Sequence, residues 1–231
     1  MAKIIFINSM KGGVGKSQTT VLAACALSSS PFNLKTCVLD IDEQASIAEL
    51  REIDNTFYEN IAPPFDVIRM DMKELQKRIA DIDKAYQLVF IDARGHLDLK
   101  ADALQQEISR CMMYADLIFI PFVSGNFNFS ANYTYLNFAK QAQSARQLTN
   151  RPLSIWAFVN MYRSRSRASQ SLMEELKERR SELDVMESYL PDYAAYREAD
   201  TFTSLYDPES SDSAKQNFSI WLNEFLNIIQ K

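Results

Sequence analysis

The chain has 231 residues, 47% of them hydrophobic, enough for one large domain with a buried core. A formal net charge of −5 and a pI of about 5.1 exclude a surface coated in positive charge, but not a local basic patch, because binding follows the local field. No apolar run reaches the ~20 residues of a membrane span and no signal-peptide pattern opens the chain, so a soluble cytoplasmic protein is expected. Cys25, Cys37 and Cys111 are scattered with no CxxC, which reads as reduced, buried thiols. His96 is the only histidine, so a Cys/His metal site lacks its ligands, and His96 itself reads as a loop side chain rather than a catalytic base.

Taken in order, apolar runs alternate with helical segments. Lys3 to Asn8 reads as a strand and Val21 to Leu27 as a helix, with a glycine-rich turn between them. Lys35 to Asp40 is a second strand, and Ser46 to Glu52 a short helix that Ser46 can cap. Asn55 to Pro64 reads as an irregular connection, Phe65 to Ile68 as a strand and Met72 to Ile82 as an amphipathic helix. Gln87 to Asp92 and Asp116 to Pro121 are nearly continuous apolar runs, the signature of strands buried on both faces. Helices are expected over Leu97 to Tyr114, Phe129 to Leu148, Ser169 to Leu183 and Ser213 to Gln230, with a strand at Leu153 to Asn160 and an edge strand at Val185 to Leu190.

Strands interleaved with helices predict an α/β fold, a mostly parallel, doubly wound sheet flanked by helices. No repeat, low-complexity tract or long linker divides it, so residues 1–231 read as a single domain. Ligands of such sheets bind at the carboxyl ends of the strands. Asp40, Asp42, Asp92, Pro121 and Asn160 are therefore expected to face one crevice with the glycine-rich turn.

That turn is Met10-Lys11-Gly12-Gly13-Val14-Gly15-Lys16-Ser17, and it holds three of the five glycines. Strand, glycine turn and helix start together aim backbone N–H groups and the positive end of a helix dipole into one concavity, which attracts anions. Lys16 is placed to meet terminal phosphates and Ser17 to hold Mg²⁺. The common P-loop pattern has glycine where Met10 stands; here the loop instead begins with a second lysine, Lys11. An ordinary glycine-rich turn with an exposed lysine is the plainer alternative.

A nucleotide with Mg²⁺ also needs carboxylates. Asp92 ends the apolar run Leu88-Val89-Phe90-Ile91, in the form of a Walker B acid. Asp40 and Asp42 alternate at the end of the second strand, where side chains at i and i+2 share a face. A capped turn serving the next helix is the competing use of Asp42.

These residues resemble a known group. Lys11-Gly12-Gly13-Val14-Gly15-Lys16-Ser17 resembles the deviant Walker A box of the ParA/MinD P-loop ATPases. Asp40-Ile41-Asp42-Glu43-Gln44-Ala45-Ser46 looks like that group's second box, and Phe90-Ile91-Asp92 like its third. Weaker matches run through Ile120-Pro121, Val159-Asn160, Leu190-Pro191 and Arg197-Glu198-Ala199. The resemblance implies ATP and Mg²⁺ as cofactors. It implies that Gly12, Gly13, Val14, Gly15, Lys16, Ser17 and Gln18 cradle the phosphates, with Asn160 at adenine. Ser17 and Asp92 would serve the metal, Asp40 the metal or the loop, and Asp42 would position the hydrolytic water. Lys11 would reach the partner's ATP across a nucleotide-sandwich homodimer. The chain departs from the group at Glu43 (usually proline), Ala45 (usually glycine) and Ala93-Arg94-Gly95-His96 (usually a small residue and two prolines). These departures bear on switch geometry and hydrolysis rate more than on nucleotide binding.

With no helix-turn-helix region ahead of the loop, the chain resembles the small partition type, which implies slow ATP hydrolysis, non-specific DNA binding and a centromere-binding ParB-like partner. It would act in plasmid or chromosome partition, in the cytoplasm and on the nucleoid. Arg163, Arg165 and Arg167, followed by Lys177, Arg179 and Arg180, either neutralise DNA phosphates or form a solvated face with Glu174, Glu175, Glu178 and Glu182. The alternative function is a nucleotide-switched positioning or conjugation-associated regulator with a non-DNA cargo and weak or no turnover. A membrane role for the last helix is disfavoured: its stripe of Phe218, Trp221, Leu222, Phe225, Leu226 and Ile229 lacks a lysine-rich opposite face. A cysteine-held cluster between subunits and a small-molecule kinase, which needs a lid, also fit poorly.

Overall fold

The computed structural model describes residues 1–95, 102–147 and 149–231, with the side chains of 102–104 and 126–130 excepted. His96, the expected helix start at Leu97 and its expected end at Leu148 lie outside the described residues.

Seven strands form one sheet: β1 (Lys3–Ile7), β2 (Thr36–Asp40), β3 (Asp66–Arg69), β4 (Leu88–Asp92), β5 (Leu117–Phe122), β6 (Ser154–Val159) and β7 (Asp184–Val185). Their order is β3-β2-β4-β1-β5-β6-β7, and every pairing is parallel. The order reverses direction around β1, which puts the loop after β1 at the switch point where such sheets bind ligands. Register sets Asp40 directly beside Asp92 at the carboxyl ends of β2 and β4.

The central strands carry apolar side chains on both faces because helices cover both. On one side Ile4, Phe6, Leu39, Val89, Ile91 and Ile118 pack against α3 (Met72–Ala85), α4 (Asp102–Tyr114), α5 (Asn126–Arg146) and α6 (Arg167–Glu178). On the other, Ile5, Ile7, Val38, Phe90, Phe119 and Phe158 pack against α1 (Lys16–Ser28), α2 (Ser46–Phe57) and α8 (Ser213–Ile229), with the one-turn α7 (Ala194–Arg197) beside them. The stripe on α8 belongs to this second layer. Phe225 lies 4.4 Å from Phe119 and Trp221 5.4 Å from Phe158, ring centre to ring centre. Burial of each such side chain stabilises the fold by roughly 1.5–3 kcal/mol. Asp212 caps α8 through the N–H groups of Ala214 and Lys215.

The first helix starts at Lys16 rather than Val21 and the fifth at Asn126 rather than Phe129, and three further boundaries differ from the sequence expectation. The helix expected over Ser46 to Glu52 continues to Phe57. Its polar residues Arg51 and Asp54 are buried: the Arg51 guanidinium donates to Thr201 Oγ1 and Phe65 O, and Asp54 accepts from Thr201 N and Oγ1. The edge strand expected over Val185 to Leu190 is only Asp184–Val185. The ladder stops because the Glu224 carboxylate takes the N–H groups of Glu187 and Ser188. The helix expected over Ser169 to Leu183 is shifted toward its start: Ser166 caps it and Arg179 ends it.

Candidate functional site

The glycine-rich turn leaves β1 and enters α1 with Gly13 and Gly15 at φ 73° and 83°, left-handed angles that glycine adopts without a Cβ penalty. Gly15 immediately precedes α1, and no side chain among the described residues caps that helix. Its first N–H groups therefore point into the turn, where they favour an anion. Gly15 also allows close approach: a Cβ there would lie 2.4 Å from Asn160 Nδ2. Asn160 Nδ2 donates to Val14 O at 2.8 Å, tying the end of β6 to the turn. Gly12 and Gly13 have open space above them.

Lys16 is buried, and its Nζ donates to Lys11 O at 2.9 Å. Burial lowers its pKa, against the attraction of Asp92 and Asp42, which holds the proton on. Ser17 Oγ donates to Asp92 Oδ2 at 2.8 Å. Asp92 is fully buried, and desolvation pushes its pKa up to about 7, with the Ser17 hydrogen bond and Lys16 acting the other way and Asp40 adding to the rise. Asp40 is buried beside it. Its Oδ2 accepts from Ile47 N and Ala48 N at 3.1 and 2.9 Å.

Asp40, not Ser46, thus caps α2. Ala45 holds the cap position at φ 48°, without a side-chain bond, and Ser46 is already the first helical residue. The other oxygen of Asp40, Oδ1, is buried and has no hydrogen-bond partner among the described residues.

Asp42 sits one turn further on. Ala45 N donates to Asp42 O at 2.8 Å, closing a β-turn, and Gln44 N donates to Asp42 Oδ1 at 2.9 Å. Arg94, two residues past Asp92, lies across this turn: Nη2 is 3.1 Å from Glu43 Oε2 and Nε 3.6 Å from Asp42 Oδ1. The next residue, Gly95, abuts the ammonium of Lys16; an ideal Cβ there would fall 1.9 Å from Nζ. Asn8, buried at the end of β1, donates through Nδ2 to Ala93 O and steadies the same segment.

The remaining expected residues differ in what holds them. Gln18 spends its amide on Tyr196 O rather than toward the turn. Pro121 ends near the crevice with its carbonyl accepting from Asn132 Nδ2. Of the basic cluster, Arg163 is engaged by Asp192 at 2.7 Å, whereas Arg165 and Arg167 are exposed and show no ion pair among the described residues. Arg179 pairs with Glu175 and Arg180 with Glu187. Beyond Asn160, Tyr162, Arg163, Arg165, Pro191 and Tyr193 line a groove of about 420 Å³.

Sequence reading missed Asn8, Gly95 and the partners of Arg94. The only signal was position: all three stand at or just past the ends of buried strands.

No group of three His, Cys, Asp or Glu side chains gathers at a metal-binding spacing among the described residues. The oxygen set of Ser17, Asp92 and Asp40 Oδ1 nevertheless suits Mg²⁺, which takes one or two carboxylates together with phosphates and waters. Adjacent ligands of an octahedral ion with ~2.1 Å bonds are about 3 Å apart, and Ser17 Oγ stands 2.8 Å from Asp92 Oδ2.

Residues 5–204 match the CobQ/CobB/MinD/ParA nucleotide binding domain. The chain belongs to this family. Members are P-loop NTPases, and the all-parallel sheet has their fold. No curated protein matches the sequence. Among solved structures, a Borrelia burgdorferi B31 protein assigned to plasmid partition, bound to AMPPNP, is 18% identical with a TM-score of 0.70 over 99% of this chain and 100% of that one. A cobyrinic acid a,c-diamide synthase from Mycobacterium smegmatis with ADP and magnesium is 14% identical, TM-score 0.67, covering 100% and 96%. The pNOB8 ParA bound to nonspecific DNA is 17% identical, TM-score 0.61, covering 100% and 99%. At such identities these likenesses speak to fold, and their differing names make the site the carrier of function.

Proposed function

We propose that this chain is a ParA-like ATPase that binds and slowly hydrolyses Mg-ATP as a single domain, pairs as a nucleotide-sandwich dimer and acts in DNA partition. The observation that carries the reading is the arrangement around Lys16: an uncapped helix start, a buried ammonium, and Ser17 hydrogen-bonded to the buried acid Asp92.

In this reading the N–H groups from Gly12 to Gln18 and the Lys16 ammonium bind the β and γ phosphates. Ser17 and Asp92 would hold Mg²⁺, with Asp40 Oδ1 available as a further oxygen. When bound, the ion neutralises phosphate charge. Asp42 orients the attacking water, and Asn160 holds the turn while bordering adenine. Lys11 serves the partner's triphosphate. Arg165 and Arg167, doubled in a dimer, meet DNA phosphates, and a ParB-like protein stimulates turnover, in the cytoplasm on the nucleoid. Arg163 contributes less, being held by Asp192.

Sedimentation with ATP and with ADP tests the core of this reading. ATP should convert monomer to dimer; Lys11→Ala should keep ATP binding but lose the dimer and turnover, and Asp42→Ala should accumulate it. Normal ATPase in Lys11→Ala would overturn its assigned role. ATP-loaded protein should bind random duplex DNA in a salt-sensitive way. Absence of that binding at low salt assigns the protein instead to nucleotide-switched positioning of another cargo.

A further inference from the structure

The turn Asp42–Ala45 carries the acid at the mouth of the phosphate site and is closed by two bonds of its own, Ala45 N to Asp42 O and Gln44 N to Asp42 Oδ1. Glu43 occupies the second position of the turn, where proline would fix φ. Ala45 follows at φ 48°, strained for a residue with a Cβ. A further tie comes from outside. The Arg94 guanidinium reaches from the loop after β4 to both carboxylates, 3.1 Å from Glu43 and 3.6 Å from Asp42. Arg94 is itself anchored on both sides, since Ala93 O accepts from Asn8 and Gly95 lies against Lys16.

We propose that Arg94 is a positioning residue for the nucleotide site: through Glu43 and Asp42 it clamps the Asp42–Ala45 turn to the loop after β4 and so fixes the direction of the Asp42 carboxylate. It rests on the ATPase reading for its consequence in turnover, but the clamp itself belongs to the chain without nucleotide. Glu43 is 82% exposed on its side chain, and an exposed ion pair adds little to global stability. The clamp therefore acts on local geometry rather than on whether the protein folds.

The clamp is tested in Arg94→Ala by amide hydrogen exchange without nucleotide and by steady-state kinetics. Exchange at Gln44 and Ala45, whose N–H groups close the turn, should accelerate about fivefold, with the melting temperature unchanged. The kcat should fall about tenfold while KM for ATP stays within about twofold, the split of a misaimed group rather than a lost contact. Placing proline at the second turn position, Glu43→Pro in the Arg94→Ala background, should restore slow exchange and most of kcat. Unchanged exchange in Arg94→Ala, or faster exchange with kcat unaltered, overturns the proposal. Should the wild-type protein bind ATP without hydrolysing it, the hydrolysis reading fails by itself, and the exchange rates still decide whether Arg94 holds the turn.

Discussion

Ser17 and Asp92 are joined through both carboxylate oxygens, at 2.8 and 3.0 Å, although 75 positions separate them in the chain. One is in the first turn of α1, the other the last residue of β4. The pair couples the phosphate turn to the neighbouring strand and places a hydroxyl beside a buried acid.

That acid makes stability depend on pH in a defined sense. Asp92 is raised from 3.8 to about 7 by burial, so the native chain binds more protons than the unfolded chain between those values. Its contribution is then most favourable at low pH and is lost as pH rises toward 7. Nucleotide-free Asp92→Asn should be more stable than wild type at pH 8. The gap should narrow below pH 7 and close near pH 4. Denaturant unfolding of both proteins across that range checks it; a pH-independent gap would refute the burial argument.

Lys16→Ala should abolish ATP binding while leaving the melting temperature close to wild type or higher. Its ammonium is buried against a carbonyl and pays a desolvation cost that alanine escapes. Titration calorimetry with ATP and Mg²⁺ measures the first effect, thermal melts the second.

Asp40→Ala should destabilise the protein by about 1–2 kcal/mol, because two first-turn N–H groups of α2 lose their acceptor. Asp40→Asn keeps an acceptor and should lose less. If Asp40 acts on the metal as well, Asp40→Asn will weaken Mg²⁺-dependent nucleotide binding despite its near-native stability, which calorimetry at varied Mg²⁺ resolves.

Arg165→Ala with Arg167→Ala should weaken binding to random duplex DNA and lower its salt slope by about 1 per arginine removed. Arg163→Ala should change the slope less, since that guanidinium is committed to Asp192. Fluorescence anisotropy across a salt series separates the three.

The strands, most helices and the phosphate turn were legible from residue order alone. Each rests on short-range signals: apolar runs buried on both faces, and glycines set between a strand and a helix. The meeting of strand ends with the turn was foretold by the sheet rule, but side-chain contacts between distant segments away from it were not. Arg51 and Asp54 look solvated in sequence, and only their contact with Thr201 shows why α2 runs on. Ser46 has the chemistry of a cap, but Asp40 reaches the N–H groups first because β2 ends pointing at them. Arg94 registered as a departure from a pattern; its partners Asp42 and Glu43 lie on another loop, and no local periodicity connects them.

The bare backbone at Gly95 carries a consequence for anyone choosing variants. A methyl at that position would occupy the place of the Lys16 ammonium, so Gly95→Ala should evict the lysine tip from its berth. The displaced tip ends a flexible side chain, so the fold should tolerate the change and the effect should fall on nucleotide affinity.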